Sequence, residues 1–182
     1  MTLNFSVYQH DTFGDLIGGG LYGDFLVLMG GIVDDFVKND LIAEGIPQET
    51  AVDISHNAAT FILNRSYSNN LKKERIPLIM GGSARGAWSI EAVLCSDAAH
   101  PVALTSMADM VALYDEKGKT TDDVIRKPVD DEILAVLRKS ATFRAAYEFD
   151  GLNEDTLMTY PPLLKVSRSF IDAYYETLES LK

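Results

Sequence analysis

The chain has 182 residues, of which 47% are apolar and 24% are charged, and its formal net charge at pH 7 is −11. This length and composition are enough for one globular domain and exclude a disordered chain. The negative charge argues against nucleic acid or an anionic membrane as a partner, because binding phosphates requires clustered Lys and Arg. The single cysteine, Cys95, excludes a disulfide framework. Together with the absence of a signal-peptide pattern, it predicts a soluble cytoplasmic protein.

The N-terminal part of the chain is predicted to organise the fold. Residues 3–8 alternate between apolar and polar, so residues 1–10 form a short strand or an extended arm. Seven of the 13 glycines lie between Gly14 and Gly31, inside an apolar run that ends at Val33, and polar residues return at helical spacing from Asp34 to Glu44. We predict a helix over this stretch, buried at its start and half-exposed at its end. Glycine in a helix costs about 1 kcal/mol relative to alanine, so we expect close packing against another helix or a second subunit, and hence a homo-oligomer.

The rest of the chain is predicted to be mostly helical. A polar loop is predicted over residues 65–75, and the apolar run at residues 76–80 is the second of only two weak strand signals. Large aromatic side chains are assigned to the core, namely Phe61, Trp88, Tyr114, Tyr174 and Tyr175. Apolar spacing and proline breaks predict further helices over residues 48–64, 84–97, 102–117, 128–149 and 161–181. The predicted fold class is therefore all-α, with one domain over residues 1–182 and a bundle of about six helices.

The last predicted helix has the clearest pattern in the chain. It begins at Pro161 and Pro162, which suit a first helical turn. Its apolar positions recur every three or four residues, but the run is too short to predict a coiled coil by itself. These positions are Leu164, Ser167, Ile171, Tyr174, Leu178 and Leu181.

A metal site is one candidate that carries chemistry. Asp53 and His56 are three residues apart, so on a helix they share a face and are able to coordinate one ion. Asp97 and His100 repeat the pattern. Two such pairs resemble the geometry of di-iron bundles. Asp15 in the first predicted helix is a further carboxylate ligand. The alternative is that His56 is a histidine at the edge of the core.

The acidic residues around the opening helix form a second candidate set, which consists of Asp11, Asp15, Asp24, Asp34 and Asp35. Carboxylates at helical spacing hold Mg²⁺ through water, and the pair Asp34-Asp35 resembles the aspartate pairs of isoprenoid synthases. The alternative is a solvated helix face, on which Lys38 pairs with Asp34 at four-residue spacing.

A glycine-rich segment forms the third candidate site. Gly81, Gly82 and Ser83 follow an apolar run and precede a predicted helix, with Arg85 close behind. Backbone N–H groups at such a turn bind anions or form an oxyanion hole, which predicts a small-molecule ligand here. The alternative is that Ser83 only caps the helix.

This segment resembles the oxyanion loop of patatin-like lipid hydrolases. In residues 104–108 the resemblance implies Ser106 as a nucleophile and Asp150 as its partner. Leu104 and Ala108 replace the two glycines that flank the family's serine.

The opening helix carries a second resemblance. Asp15-Leu16-Ile17-Gly18, Gly31-Ile32-Val33-Asp34 and Glu44-Gly45 are similar to the helical domain of ketol-acid reductoisomerases. In that family the first motif supplies an aspartate and, four residues later, a glutamate to magnesium. Here Asp15 is present and Gly19 replaces the glutamate, so the resemblance implies a helical fold.

The pattern as a whole predicts a small acidic helical protein that binds a small ligand or a protein partner, as a homo-oligomer. A divalent-metal-dependent enzyme that uses Asp53, His56 and carboxylates of the first helix is the alternative. A serine hydrolase that uses Ser106 is the third hypothesis. The sequence identifies no cofactor and does not decide whether the protein is an enzyme.

Overall fold

In the computed structural model of the chain, seven helices and three strands have defined bounds among the described residues. Most of these residues are helical, as predicted. The described residues are 25–70, 78–82, 85, 86, 88, 89, 99–101, 112, 115, 126–148, 151, 152 and 154–182. The elements are β1 (Phe25–Met29), α1 (Gly30–Ala43), α2 (Gln48–Ser55), α3 (Ala58–Asn70), β2 (Leu78–Gly82), β3 (Ala99–Pro101), α4 (Asp131–Leu137), α5 (Ala141–Tyr147), α6 (Glu154–Leu157) and α7 (Pro161–Ser180).

The three strands form a parallel sheet in the order β1-β2-β3, which the all-α prediction did not include. The register runs from Phe25 opposite Leu78 to Met29 opposite Gly82, and Ile79 pairs with Ala99. Within the predicted first helix, residues 25–29 are therefore a strand, and the helix begins only at Gly30. A buried parallel strand is a continuous apolar run, and periodicity cannot distinguish such a run from a buried helix. The predicted arm over residues 1–10 and the glycines before β1 lie outside the described residues.

Helix α1 connects the sheet to the helical core. Val33, Val37 and Leu41 recur at four-residue spacing and are fully buried. The helix ends in a Schellman motif, in which the N–H of Gly45 donates to the carbonyl of Ile42 and the N–H of Ile46 donates to that of Leu41. Gly45 has a φ of +83°, a left-handed conformation that glycine adopts without strain.

Three predicted boundaries are wrong. The helix predicted over residues 48–64 is broken at His56 and Asn57, and its second part continues to Asn70, so residues 65–70 of the predicted polar loop are helical. The helix predicted over residues 128–149 is broken after Leu137. There Ser140 caps α5 by accepting a hydrogen bond from the N–H of Phe143, because a serine hydroxyl competes well for helix-start N–H groups.

The core is one cluster of buried apolar side chains that runs from Leu28 in β1 to Val166 in α7. Phe61 is buried, as predicted for an aromatic core residue. Tyr174 and Tyr175 are instead about 60% exposed, because α7 leaves the core after its first turns. Within the described ranges, no helix combines the length and the apolar character needed to cross a membrane.

Candidate functional site

The candidate site lies at the carboxyl edge of the parallel sheet. Gly81 and Gly82 end β2 and pair with Leu28 and Met29, and α1 begins at the next residue, Gly30. Ligands of open parallel sheets commonly bind outside the carboxyl ends of the strands. Polar side chains from α1, from the α2–α3 junction and from the segment after β2 come together at this edge.

Asp34 is the most buried polar group of the site. It lies in the second turn of α1 and is only 4% exposed. Its Oδ1 accepts a hydrogen bond of 3.1 Å from the backbone N–H of Ala59, near the start of α3. Its Oδ2 accepts a longer one of 3.4 Å from the indole N–H of Trp88. The prediction that Asp34 lies on a solvated face and pairs with Lys38 is therefore wrong.

Burial raises the pKa of Asp34 from 3.8 to about 7. The removal of the carboxylate from water is the largest cause, and the neighbouring charge of Asp35 adds to it. The two N–H donors and the charge of Arg85 act in the opposite direction, but they do not cancel the effect of burial. Asp34 is consequently able to hold a proton near neutral pH, and a raised carboxyl pKa is common at functional sites.

Asp35 is the charged counterpart of Asp34 and lies closer to solvent. Its Oδ2 is 3.1 Å from Nε of Arg85, and its Oδ1 is 3.3 Å from Nζ of Lys38. Partial burial acts to raise the pKa of Asp35, but the hydrogen bonds from Arg85 and Lys38 outweigh it and lower the pKa. Asp35 therefore stays ionised between two cations.

An aromatic stack covers the buried carboxyl. The ring of His56, at the end of α2, lies 3.6 Å from the ring of Trp88 at an interplanar angle of 18°. The Trp88 ring also lies against Gly86, which is buried and at which a Cβ would overlap the indole. The stack and the Asp34 hydrogen bond together connect the segment after β2 to α1 and the α2–α3 junction.

Two separate candidates from the sequence meet in this site. Arg85 of the predicted glycine-rich ligand segment contacts Asp35 of the aspartate pair. Gly81 and Gly82 end the strand beside them, whereas Ser83 lies outside the described residues. The structure therefore brings the anion-binding candidate and the acidic candidate together at one edge.

The predicted metal ligands are not grouped in the same way. Asp53 is exposed on α2, His56 is stacked on Trp88, and Asp15 lies outside the described residues. Among the residues that the structure describes, no three His, Cys, Asp or Glu side chains are placed to hold one metal ion. The predicted nucleophile Ser106 and its partner Asp150 lie outside the described residues, so the metal site and the hydrolase site stay predictions.

Comparisons with known proteins do not assign this chain to a family. No family model, curated protein or solved structure matches the chain. The resemblances to hydrolases and reductoisomerases therefore rest on their quoted residues alone.

Sequence reasoning missed one member of the site, Trp88, which it assigned to the aromatic core. One signal was present, because the chain's only tryptophan follows the glycine segment closely and two residues separate it from Arg85. The inward direction of Asp34 was also readable, since Val37 and Leu41 follow it at helical spacing.

Proposed function

We propose that the protein binds a small ligand that carries an anionic group, such as a carboxylate or a phosphate, at the carboxyl edge of the sheet. The observation that carries the proposal is the local charge balance. Two cations, Arg85 and Lys38, surround the single fully ionised carboxylate of Asp35. The adjacent Asp34 is able to hold a proton at neutral pH.

This local balance contrasts with the formal charge of the whole chain, which is −11. With Asp34 protonated, the four side chains carry a net positive charge, and an arginine side chain suits carboxylates and phosphates because its donors form a planar fork. Gly81 and Gly82 at the end of β2 lack side chains, so a ligand would be able to approach the backbone closely there. The Arg85 and Asp35 side chains are 39% and 36% exposed, so they are accessible from solvent.

Binding of an anion would be coupled to protonation of Asp34. A negative ligand close to this carboxyl favours its neutral form, so affinity rises as the pH falls through the pKa of about 7. The opposite dependence would require a cationic ligand.

The test uses the fluorescence of Trp88, the only tryptophan of the chain, which lies in the site. The protein is titrated with inorganic phosphate, pyrophosphate and a series of short carboxylic acids. We expect a saturable change that is tighter near pH 6 than near pH 8, on the two sides of the Asp34 pKa. Arg85→Ala should abolish the change. Arg168→Ala, which removes an exposed arginine of α7, is the matched control and should retain it.

A second variant tests whether ligand binding is coupled to protonation of Asp34. Asp34→Asn keeps an oxygen acceptor for the Ala59 N–H but carries no titratable proton. In this variant we expect binding to lose most of its dependence on pH. A saturable signal that Arg85→Ala leaves unchanged, or no saturable signal with any of these anions, would contradict the proposed function.

Composition alone supports the proposal that the protein works in the reducing cytoplasm, without nucleic acid or membrane partners. The chain has one cysteine and an excess of acidic residues. Retention on immobilised DNA or on anionic vesicles at physiological salt would contradict this part of the proposal.

A further inference from the structure

Asp35 contacts both cations of the proposed anion site. Its Oδ2 lies 3.1 Å from Nε of Arg85, and its Oδ1 lies 3.3 Å from Nζ of Lys38. A carboxylate of the protein is therefore bound at the two groups that would bind the anion of a ligand. Any ligand that uses Arg85 and Lys38 has to compete with this internal anion.

The contacts of Asp35 are of a kind that a ligand is able to replace. The Asp35, Arg85 and Lys38 side chains are all partly exposed, and ion pairs in such positions contribute little to stability because water screens them. Asp35 also divides its two oxygens between two cations, whereas a ligand anion is able to engage two N–H donors of one guanidinium. The displaced carboxylate would turn towards solvent.

The same contacts limit the shape of the anion that fits. One carboxylate reaches Arg85 with one oxygen and Lys38 with the other. The two cationic groups are therefore close enough together for a single compact group to contact both. A phosphate group has this shape, because its three terminal oxygens surround one centre. Two carboxylates separated by a carbon chain do not.

The charges of the site favour a divalent group. Arg85 and Lys38 carry two positive charges, and Asp35 neutralises one of them. A monovalent anion would only exchange one single charge for another, and Asp35 has the advantage of being held on the same chain, as a tethered group at an effective concentration of roughly millimolar or more. A divalent anion would neutralise both cations, so it gains more than the exchange costs.

We propose that Asp35 is an internal competitor for the ligand's anion, and that the anion which displaces it is a compact divalent group, the phosphate of a phosphate monoester. Such a group carries a charge of about −1.5 to −2 near pH 7. Asp35 lowers the affinity for every anion, and a divalent one still binds. This role of Asp35 rests on the proposed function, because it requires that Arg85 and Lys38 bind an anion.

Calorimetric titration with sulfate and methyl sulfate tests the charge of the anion. Both present oxygens on one sulfur centre, but sulfate carries two negative charges and methyl sulfate carries one. The charge of Asp35 raises the pKa of Asp34, so the titrations are made at pH 6, which keeps most of Asp34 protonated, and at constant ionic strength. We expect wild-type protein to bind sulfate more tightly than methyl sulfate by roughly tenfold or more.

Two variants of Asp35 test the competition. Asp35→Asn keeps the shape of the side chain and removes its charge, and we expect it to bind both ions roughly tenfold more tightly than wild-type protein does. Asp35→Glu retains the charge and should retain the wild-type affinities. Asp131→Asn, which removes a charge at an exposed position of α4, is the control for net charge and should also retain them. A gain of affinity cannot arise from damage to the fold.

The outcomes distinguish the role of Asp35 from the proposed function. Sulfate binding that Arg85→Ala abolishes and that Asp35→Asn leaves unchanged or weakens would overturn the competition and leave the proposed function standing. Equal affinities of wild-type protein for sulfate and methyl sulfate would overturn the divalent class. No binding of sulfate, phosphate or pyrophosphate, either to wild-type protein or to Asp35→Asn, would contradict the proposed function itself and the role of Asp35 with it.

Discussion

Two carboxylates of α1, Asp34 and Asp40, connect this helix to the starts of two other helices, and they do so differently. Each accepts a hydrogen bond from the N–H of the second residue of the helix that it contacts, Ala59 in α3 and Thr142 in α5. Asp40 also accepts a 2.7 Å hydrogen bond from the hydroxyl of Ser140, and its contact with Thr142 is 2.9 Å. The two contacts of Asp34 are longer, at 3.1 and 3.4 Å.

The difference supports the proposal that Asp40 has a structural role and Asp34 a role in ligand binding. Asp40 is partly exposed and receives two short hydrogen bonds at a helix start, where a negative charge is favourable. Asp34 is almost fully buried, and its donors do not offset the loss of hydration. Ionisation of Asp34 costs stability, and its carboxyl lies beside Arg85 and under the His56–Trp88 stack. These properties fit a ligand-binding site better than a purely structural hydrogen bond between helices.

The largest expected effect comes from removing the Asp40 carboxylate, which connects α1 to the start of α5. Asp40→Ala leaves the buried Ser140 hydroxyl and Thr142 N–H without their shared acceptor, and each loss costs about 1–3 kcal/mol. We expect the free energy of unfolding to fall by roughly 3 kcal/mol, measured by urea denaturation. Asp131→Ala, at an exposed position of α4, is the control. A loss no larger than that of the control would remove the distinction between the two carboxylates.

The next effect is a change in the dependence of stability on pH. Because the folded-state pKa of Asp34 is raised from 3.8 to about 7, its contribution to stability is complete below the lower value and lost as the pH rises to the higher one. Asp34→Asn lacks the titration.

We therefore expect Asp34→Asn to be more stable than wild-type protein above pH 7, with the difference shrinking as the solution is acidified. Urea denaturation across the pH range measures this difference. A variant whose free energy of unfolding runs parallel to that of the wild-type protein at every pH would show that Asp34 has an ordinary pKa.

The smallest effect concerns the donor to Asp34. Trp88→Phe removes the indole N–H but retains an aromatic ring to stack on His56. We expect a loss of about 0.5–1.5 kcal/mol at alkaline pH, where the carboxylate is charged, and less at acidic pH. Denaturation followed by circular dichroism measures both. An equal loss at the two pH values would attribute the effect to packing alone.

Several elements of the fold follow from the sequence because local signals determine them. The paired prolines and the three-and-four spacing predicted α7 from Pro161, and β2 covers the end of the apolar run at residues 76–80 together with Gly81 and Gly82. The meeting of Arg85 with the aspartates could not be predicted, because it depends on how β2 pairs with β1, a contact between residues about 50 positions apart.

The error over the first helix has a physical cause. The residues from Phe25 to Met29 are apolar on every side, and such a run suits a buried helix and a buried strand equally well. The solvated face predicted as the alternative for Asp34 is wrong as well, because Asp34 is buried while Ile42 on the same helix is 39% exposed. The helix is rotated because α3, which supplies the Ala59 N–H, packs against the Asp34 side.

The most direct test of the account is the titration of Asp34 itself. Carboxyl ¹³C chemical shifts of aspartate-labelled protein are followed across the pH range, and Asp34→Asn assigns the signal. We expect a midpoint near 7, well above the ordinary value of 3.8. A midpoint at or below that ordinary value would show that Asp34 is a fully charged carboxylate that only accepts structural hydrogen bonds from Ala59 and Trp88. That result would contradict the proposed proton-coupled binding site.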